Sequence, residues 1–258
     1  GFNKNYDERI FQYFILEDDY LAFSMVKANM LRLDARSEIL HVLRMRYFLT
    51  ERVYYHHAKV SSGAMVAKAV ERAHKLGLKR TDLYQFSDVS LFEHLKSHYG
   101  SQEPTILHLI EKVEKRQLLK RAYVLSSKIG QEKRTLLLEK FNLSPSHRDI
   151  IEQEIIKQLE KAGFNAASED LLISCPDTGT LKEAEVLIKT PEGLTKLNEY
   201  STPEKPYTWN DLKFLTDEYY ALWKFYVFSA PAIQLEVGKI CEDLIGRKNE
   251  HIRAKFIK

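Results

Sequence analysis

From Ala35 to Leu76 the chain has no proline, and its apolar residues return at helical spacing: Ile39, Leu40, Leu43, Tyr47, Leu49 and Val53, then Met65, Val66, Ala69 and Ala73. Asp34 is placed to cap the start. Gly77, after His74 and Lys75, is placed to stop it, with basic side chains in the last turn and glycine beyond. About 40 residues is long for a single helix. A break or bend is therefore expected at Ser61-Ser62-Gly63.

Other segments add shorter elements. Residues 7–32 mix apolar clusters with charges and read as one or two short helices. SDVSLFEHLKSHYG (87–100) opens on capping residues and ends in glycine, so it reads as a short helix. Pro104 opens a helix over 104–119, residues 131–141 form another, and Ser144-Pro145 starts one that runs to Gly163. Strands are expected at AYVLS (122–126), LLISC (171–175), AEVLIK (184–189) and LWKFYVFS (222–229). A last amphipathic helix spans Ala232 to Ile245 and stops at Gly246. The fold class expected is mainly α, with a smaller α+β C-terminal part: helices over 1–121, then a mixed region over 122–258 that sets a small sheet on helices. The boundary near 122 carries no Pro/Gly-rich linker.

Composition narrows the functions. With 44% hydrophobic and 29% charged residues the chain can bury a core. A net charge of +3 does not by itself call for DNA or an anionic membrane. Only Cys175 and Cys241 occur, far apart, which suggests neither a zinc knuckle nor a disulfide framework and fits a reducing, cytoplasmic setting. No apolar run approaches the ~20 residues of a membrane span. No signal peptide is visible, and the start GFNKN, without Met, reads as a fragment or a processed product.

Chemistry concentrates in RMRYFLTERVYYHHAKV (44–60). Arg46, Thr50 and Tyr54 stand four apart and would form one stripe on a helix, with His57 beside it. A guanidinium offers a planar fork of donors to phosphate oxygens, and a tyrosine stacks on a ring or bonds a sugar hydroxyl. The stripe can thus hold phosphate at one end and sugar or base at the other. The same spacing also describes a core helix with a solvated edge, the commoner use of such residues. His56 and His57, adjacent on a helix, would point ~100° apart and not converge on one metal ion. No HExxH, GxxxxGK[ST], GxGxxG or GxSxG occurs. Lys112, Lys115, Arg116, Lys120 and Arg121 suit phosphate, nucleic acid or a solvated helix end equally. Glu17-Asp18-Asp19 and Glu152…Glu154 read as solvated faces, and Trp209 and Trp223 as core.

As a signature, LRMRYFLTERVYYHHAKVSSGAMVAKAVERA resembles a helix of the HD-domain deoxynucleoside triphosphate triphosphohydrolases. There an Arg is followed some turns on by an aromatic or Tyr-polar pair and His-Lys, then by a small/apolar helix. Arg46 and Val53-Tyr54-Tyr55-His56 match that pattern, and His57 stands where Lys is common. FSDVSLFEHLKS (86–97), IEKVEKRQLLKRAYVLSS (110–127) and WKFYVFSAPAIQLEVGKICEDLI (223–245) look like later segments of the same family, in the same order. The resemblance implies that Arg46 contacts the substrate triphosphate, Tyr54 the deoxyribose, and that Tyr55 lies by the sugar or base. It implies that His56, His57 and Arg116 face a regulatory nucleotide or a subunit interface, and that the protein forms a homo-oligomer, with residues 122–258 supporting assembly or regulation.

The departure from the family is as informative. The family's His…His-Asp…Asp set binds a divalent metal, Mg²⁺ or Mn²⁺, that activates water. None of the nine histidines here is followed by Asp. In the family that metal half precedes the segments matched, so the chain is expected to be the C-terminal portion of such an enzyme, supplying the substrate-side helix without the metal site and inactive alone. The alternative is a non-catalytic nucleotide- or nucleic-acid-binding or oligomerisation module on the same fold. A long helix that serves only as an interface is a third.

Overall fold

The computed structural model describes residues 8–177, 186–200 and 210–251. In chain order its strands are β1 (Phe14–Glu17), β2 (Tyr20–Ser24), β3 (Val26–Lys27), β4 (Met30–Leu31), β5 (Lys120–Ser126), β6 (Leu171–Ser174), β7 (Leu187–Thr190), β8 (Gly193–Lys196) and β9 (Lys224–Ser229). Its α-helices are α1 (Leu33–Leu49), α2 (His57–Lys75), α3 (Asp88–His94), α4 (Pro104–Glu114), α5 (Gln131–Phe141), α6 (Pro145–Lys161), α7 (Asn210–Ala221) and α8 (Gln234–Ile245). The chain is mainly helical with small sheets, the fold class read from the sequence.

The long helical run divides in two. A π turn at Thr50–Tyr54 follows α1, and α2 restarts after His56, whose backbone is extended. The break thus falls in TERVYYH rather than at Ser61-Ser62-Gly63. Val, Tyr and His are poor helix formers, and Val53-Tyr54-Tyr55-His56-His57 sets five of them in a row. Ser61 lies buried inside α2, its hydroxyl donating to the Leu119 carbonyl at 2.8 Å. Asp34 is not the cap: α1 begins one residue before it, and Asp34 sits in the first turn.

Two compact units form, each from two stretches of chain: Gly1–Tyr54 with Thr178–Leu222, and Tyr55–Asp177 with Trp223–Lys258. The expected boundary near 122 falls inside the second of these, within β5.

In the first unit, β1 to β4 occupy residues read from sequence as short helices. Asp18 and Asp19 (φ 50° and 63°), then Ala28 and Asn29 (φ 51° and 59°), take left-handed conformations in the two tight turns. These turns pair β1 with β2 and β3 with β4 as antiparallel ribbons. The sheet order is β1-β2-β7-β8, with β2 and β7 parallel and Phe23 opposite Ile188. Its core joins Phe23, Met25 and Ile188 to Ile39, Leu40 and Leu43 of α1 and Leu212 and Leu215 of α7. Strand β8 and helix α7 were not anticipated from sequence.

In the second unit a three-stranded antiparallel sheet, β5-β9-β6, is covered on both faces. Tyr123, Leu125, Leu171, Ile173, Phe225 and Val227 pack with α5, α6 and α8. The alternate residues Val124, Leu172, Tyr226 and Phe228 pack with α2 and α4. The two-residue alternation of a strand sends successive side chains into opposite cores. Trp223 is core and donates to the Pro176 carbonyl at 2.7 Å. Trp209 lies outside the described residues. No described helix is long and apolar enough to cross a membrane.

Candidate functional site

The candidate residues divide between the units. In the first, exposed Arg46 stands in the last turn of α1, and its carbonyl accepts the Thr50 hydroxyl at 2.9 Å. Tyr54 closes the π turn, 46% exposed, while Thr50 is buried. Arg46, Thr50 and Tyr54 do not present one uniform stripe, because Thr50 faces inward between two exposed side chains. Tyr47 beside them packs edge-on against Tyr219 at 5.3 Å, and the Arg52 guanidinium lies 5.5 Å from the Phe48 ring centre.

Tyr55, His56, His57 and Arg116 belong to the second unit. His56 caps α2, its Nδ1 accepting the Ala58 N–H at 3.4 Å. The His56 and His57 rings lie 4.3 Å apart. They meet because His56 is extended rather than helical, so the divergence expected of two helical neighbours does not arise. The bond from Ser61 to Leu119 sets this end of α2 beside the start of β5. Burial lowers the His57 pKa, and the positive charge of Arg121 lowers it further, with His56, Lys120 and His251 adding to the effect. Burial raises the Tyr55 phenol, with Asp177 contributing. Burial raises Tyr226 too, against the opposing pull of Arg121. Cations and phenols thus share one neighbourhood. Lys120 and Arg121 were visible as a basic run. Tyr226 and His251 carried no sequence signal, since β9 and the segment after α8 bring them from far along the chain.

Arg116 has an unusual backbone. Its φ is 55°, in the left-handed region where glycine normally ends a helix. Arg116 N–H donates to the Val113 carbonyl at 3.0 Å and Gln117 N–H to Lys112 at 2.7 Å, so the left-handed residue closes α4. That is why α4 stops at Glu114 rather than at 119.

Glu152 is not on a solvated face. It and Lys68 form a buried pair at 2.8 Å. Lys68 Nζ also donates to the carbonyls of Ser168 and Leu171, both at 2.7 Å, and Glu152 accepts from Ile173 N–H at 2.7 Å. All three ammonium donors are used, so the pair is saturated and structural. The thiols of Cys175 and Cys241 are pushed up to about 12 by burial, which removes them as nucleophiles. Among the described residues no three His, Cys, Asp or Glu side chains gather to hold a metal ion. The described residues therefore do not fit the His…His-Asp…Asp centre.

The sequence profile of the HD associated region matches residues 25–255, which takes in nearly all of the second unit and the first unit from Met25 onward. The chain belongs to the HD associated region family. It is in that sense an HD-domain-related protein. Among solved structures, a phosphohydrolase from Bacteroides thetaiotaomicron is similar at 16% identity and a TM-score of 0.47, the match covering 86% of this chain and 55% of that one. The HD associated region thus spans about half the length of that protein. No curated protein matches the chain.

Proposed function

We propose that this HD associated region is the C-terminal part of an HD-type phosphohydrolase that cleaves a dNTP to deoxynucleoside and triphosphate. The family match over residues 25–255 carries the reading, and the order of motifs around Arg46 and Tyr54-Tyr55 supports it. The chain's own residues bind and orient. Arg46 neutralises and positions the triphosphate. Tyr54 holds the deoxyribose, and Tyr55 lies by the sugar or base. The divalent metal of such hydrolases, Mg²⁺ or Mn²⁺, has its ligands outside the described residues. The test is triphosphate release from a dNTP panel, by this chain alone and by the chain joined to an HD half. Activity is expected only in the joined form. There Arg46→Ala lowers kcat/KM by about 10- to 100-fold, as loss of a charge-assisted hydrogen bond does. No release from any dNTP with the HD half present sinks the proposal.

The cation and phenol neighbourhood in the second unit favours a second role, regulatory nucleotide binding without catalysis. His57 lies within electrostatic reach of Lys120, Arg121 and His251, and Arg116 belongs to the same unit. This role includes a nucleotide or nucleic-acid partner and a homo-oligomer whose assembly responds to it. Sedimentation of the chain with and without each nucleotide, for wild type and Arg121→Ala, tests it. An assembly unmoved by every nucleotide, with no binding by dialysis, rules that role out.

A further inference from the structure

We propose that His94 and His98 form a two-histidine site for a borderline divalent transition metal such as Cu²⁺, Ni²⁺ or Zn²⁺, separate from the metal centre of any HD half. The two stand four residues apart on one continuous helical segment, and their rings lie 4.1 Å apart, tilted by 32°. Helical histidines at this spacing supply two ligands to one ion from a single face. Two nitrogens ~2 Å from a tetrahedral ion lie ~3.3 Å from each other. Rings this close reach that separation when the exposed His98 side chain rotates toward His94.

The surroundings prepare both rings. His98 Nδ1 faces the His94 carbonyl at 3.3 Å and Ser97 Oγ at 3.0 Å. The carbonyl can only accept, and Ser97 Oγ–H is itself donated to the Glu93 carbonyl at 2.7 Å, leaving its lone pair outward. Both contacts place the proton on Nδ1 and leave the Nε2 lone pair for a ligand, the orientation that backbone carbonyls impose on metal-binding histidines. His94 is stacked on Phe86 at 4.6 Å, which fixes its ring. The helix changes from α to π at Leu95–Tyr99, across this pair, and single π turns recur at functional sites. No third ligand joins them among the described residues, so water completes the shell. An all-imidazole pair selects Cu²⁺, Ni²⁺ and Zn²⁺ over Mg²⁺ and Mn²⁺, which prefer oxygen.

Titrating the chain with Cu²⁺ alone, followed by calorimetry and by electron paramagnetic resonance, tests the site, with Mg²⁺ as the contrast. One Cu²⁺ per chain with nitrogen coupling is expected, weakened roughly tenfold or more by either His94→Ala or His98→Ala. His57→Ala, at the other close histidine pair, is expected to leave it unchanged. Thermal melts without metal establish that the variants fold, and His98→Gln replaces His98→Ala if that one does not. Equal affinity in wild type and both variants overturns the proposal. So does loss in only one of them, or loss in His57→Ala instead.

Discussion

The two sheets of this molecule are covered differently. The sheet β5-β9-β6 carries apolar side chains on both faces, each packed under helices. The sheet β1-β2-β7-β8 gathers its core around Phe23 and Ile188, while Leu16 and Leu21, directly opposite each other, remain 75% and 67% exposed. A strand buried on both sides is held by packing from two directions, so a change there opens a cavity that little can fill. The β1-β2 hairpin leans instead on its turns and on one face. Stability should therefore concentrate in the second unit, and mutational cost should divide along the same line.

The largest effects sharpen that contrast. Glu152→Ala leaves the Lys68 ammonium buried and uncompensated, at an expected cost of about 3–5 kcal/mol in urea unfolding. Replacing both partners, as Lys68→Met with Glu152→Leu, does not restore the loss. The Ser168 and Leu171 carbonyls and the Ile173 N–H then lose their partners, at about 1–3 kcal/mol each. The first unit's ion pair between Lys189 and Glu17 is partly exposed, with side chains 32% and 30% accessible. Glu17→Ala is expected to cost under about 1 kcal/mol. Phe225→Ala, fully buried in β9, costs about 3–5 kcal/mol, whereas Leu16→Ala stays within about 0.5 kcal/mol. Comparable losses for Phe225→Ala and Leu16→Ala would break the contrast.

The same difference decided what the sequence could tell. AYVL, LLIS and FYVFS are buried on both faces, so they stand out as continuous apolar runs, and β5, β6 and β9 lie where those runs predict. FILE and YLAFS alternate only weakly, and their turn is Asp18-Asp19 rather than the Asn-Gly or Asp-Gly that announces a two-residue hairpin. The hairpin therefore read as helix. Helices that open on Ser87 or on Ser144-Pro145 were legible because the caps act locally: Ser144 Oγ accepts the His147 N–H at 3.4 Å. Among the candidate residues, Arg46 and Tyr54 of the first unit and His56 and His57 of the second were legible as residue types. The π turn that ends in Tyr54 was not, nor, within the second unit, the arrival of Tyr226 and His251, which depends on tertiary pairing alone.

Arg116 gives a smaller effect of opposite sign. Its left-handed backbone costs roughly 1 kcal/mol that glycine would not pay. Arg116→Gly should raise stability by about that amount. If the guanidinium serves a regulatory nucleotide, the same variant binds nucleotide more weakly while melting higher. Strain held at a functional position predicts that trade. A variant that is more stable and binds equally well would leave Arg116 as a helix terminator only.

The smallest effect is a pH dependence in the first unit. Asp34 accepts from Arg32 through both carboxylate oxygens, at 3.1 Å from Nε and 2.5 Å from the terminal nitrogen, and the guanidinium lies 4.5 Å from the Tyr13 ring centre. The Arg32 hydrogen bonds hold the Asp34 carboxyl well below its ordinary 3.8. A carboxylate depressed in the fold stabilises it above its unfolded pKa, and that contribution is lost as pH falls toward the folded value, because the unfolded chain takes up the proton first. Below about pH 4 the urea midpoint of the wild type should therefore fall faster than that of Asp34→Asn, which has no such proton to gain. The pair is exposed, so 1 M salt, with a Debye length of about 3 Å, should narrow the gap. Salt should leave the buried Lys68–Glu152 pair far less affected, since water and ions do not reach it. Parallel acid profiles for wild type and Asp34→Asn would mean that the first unit draws nothing from this contact, and that its α1 start is held by packing alone.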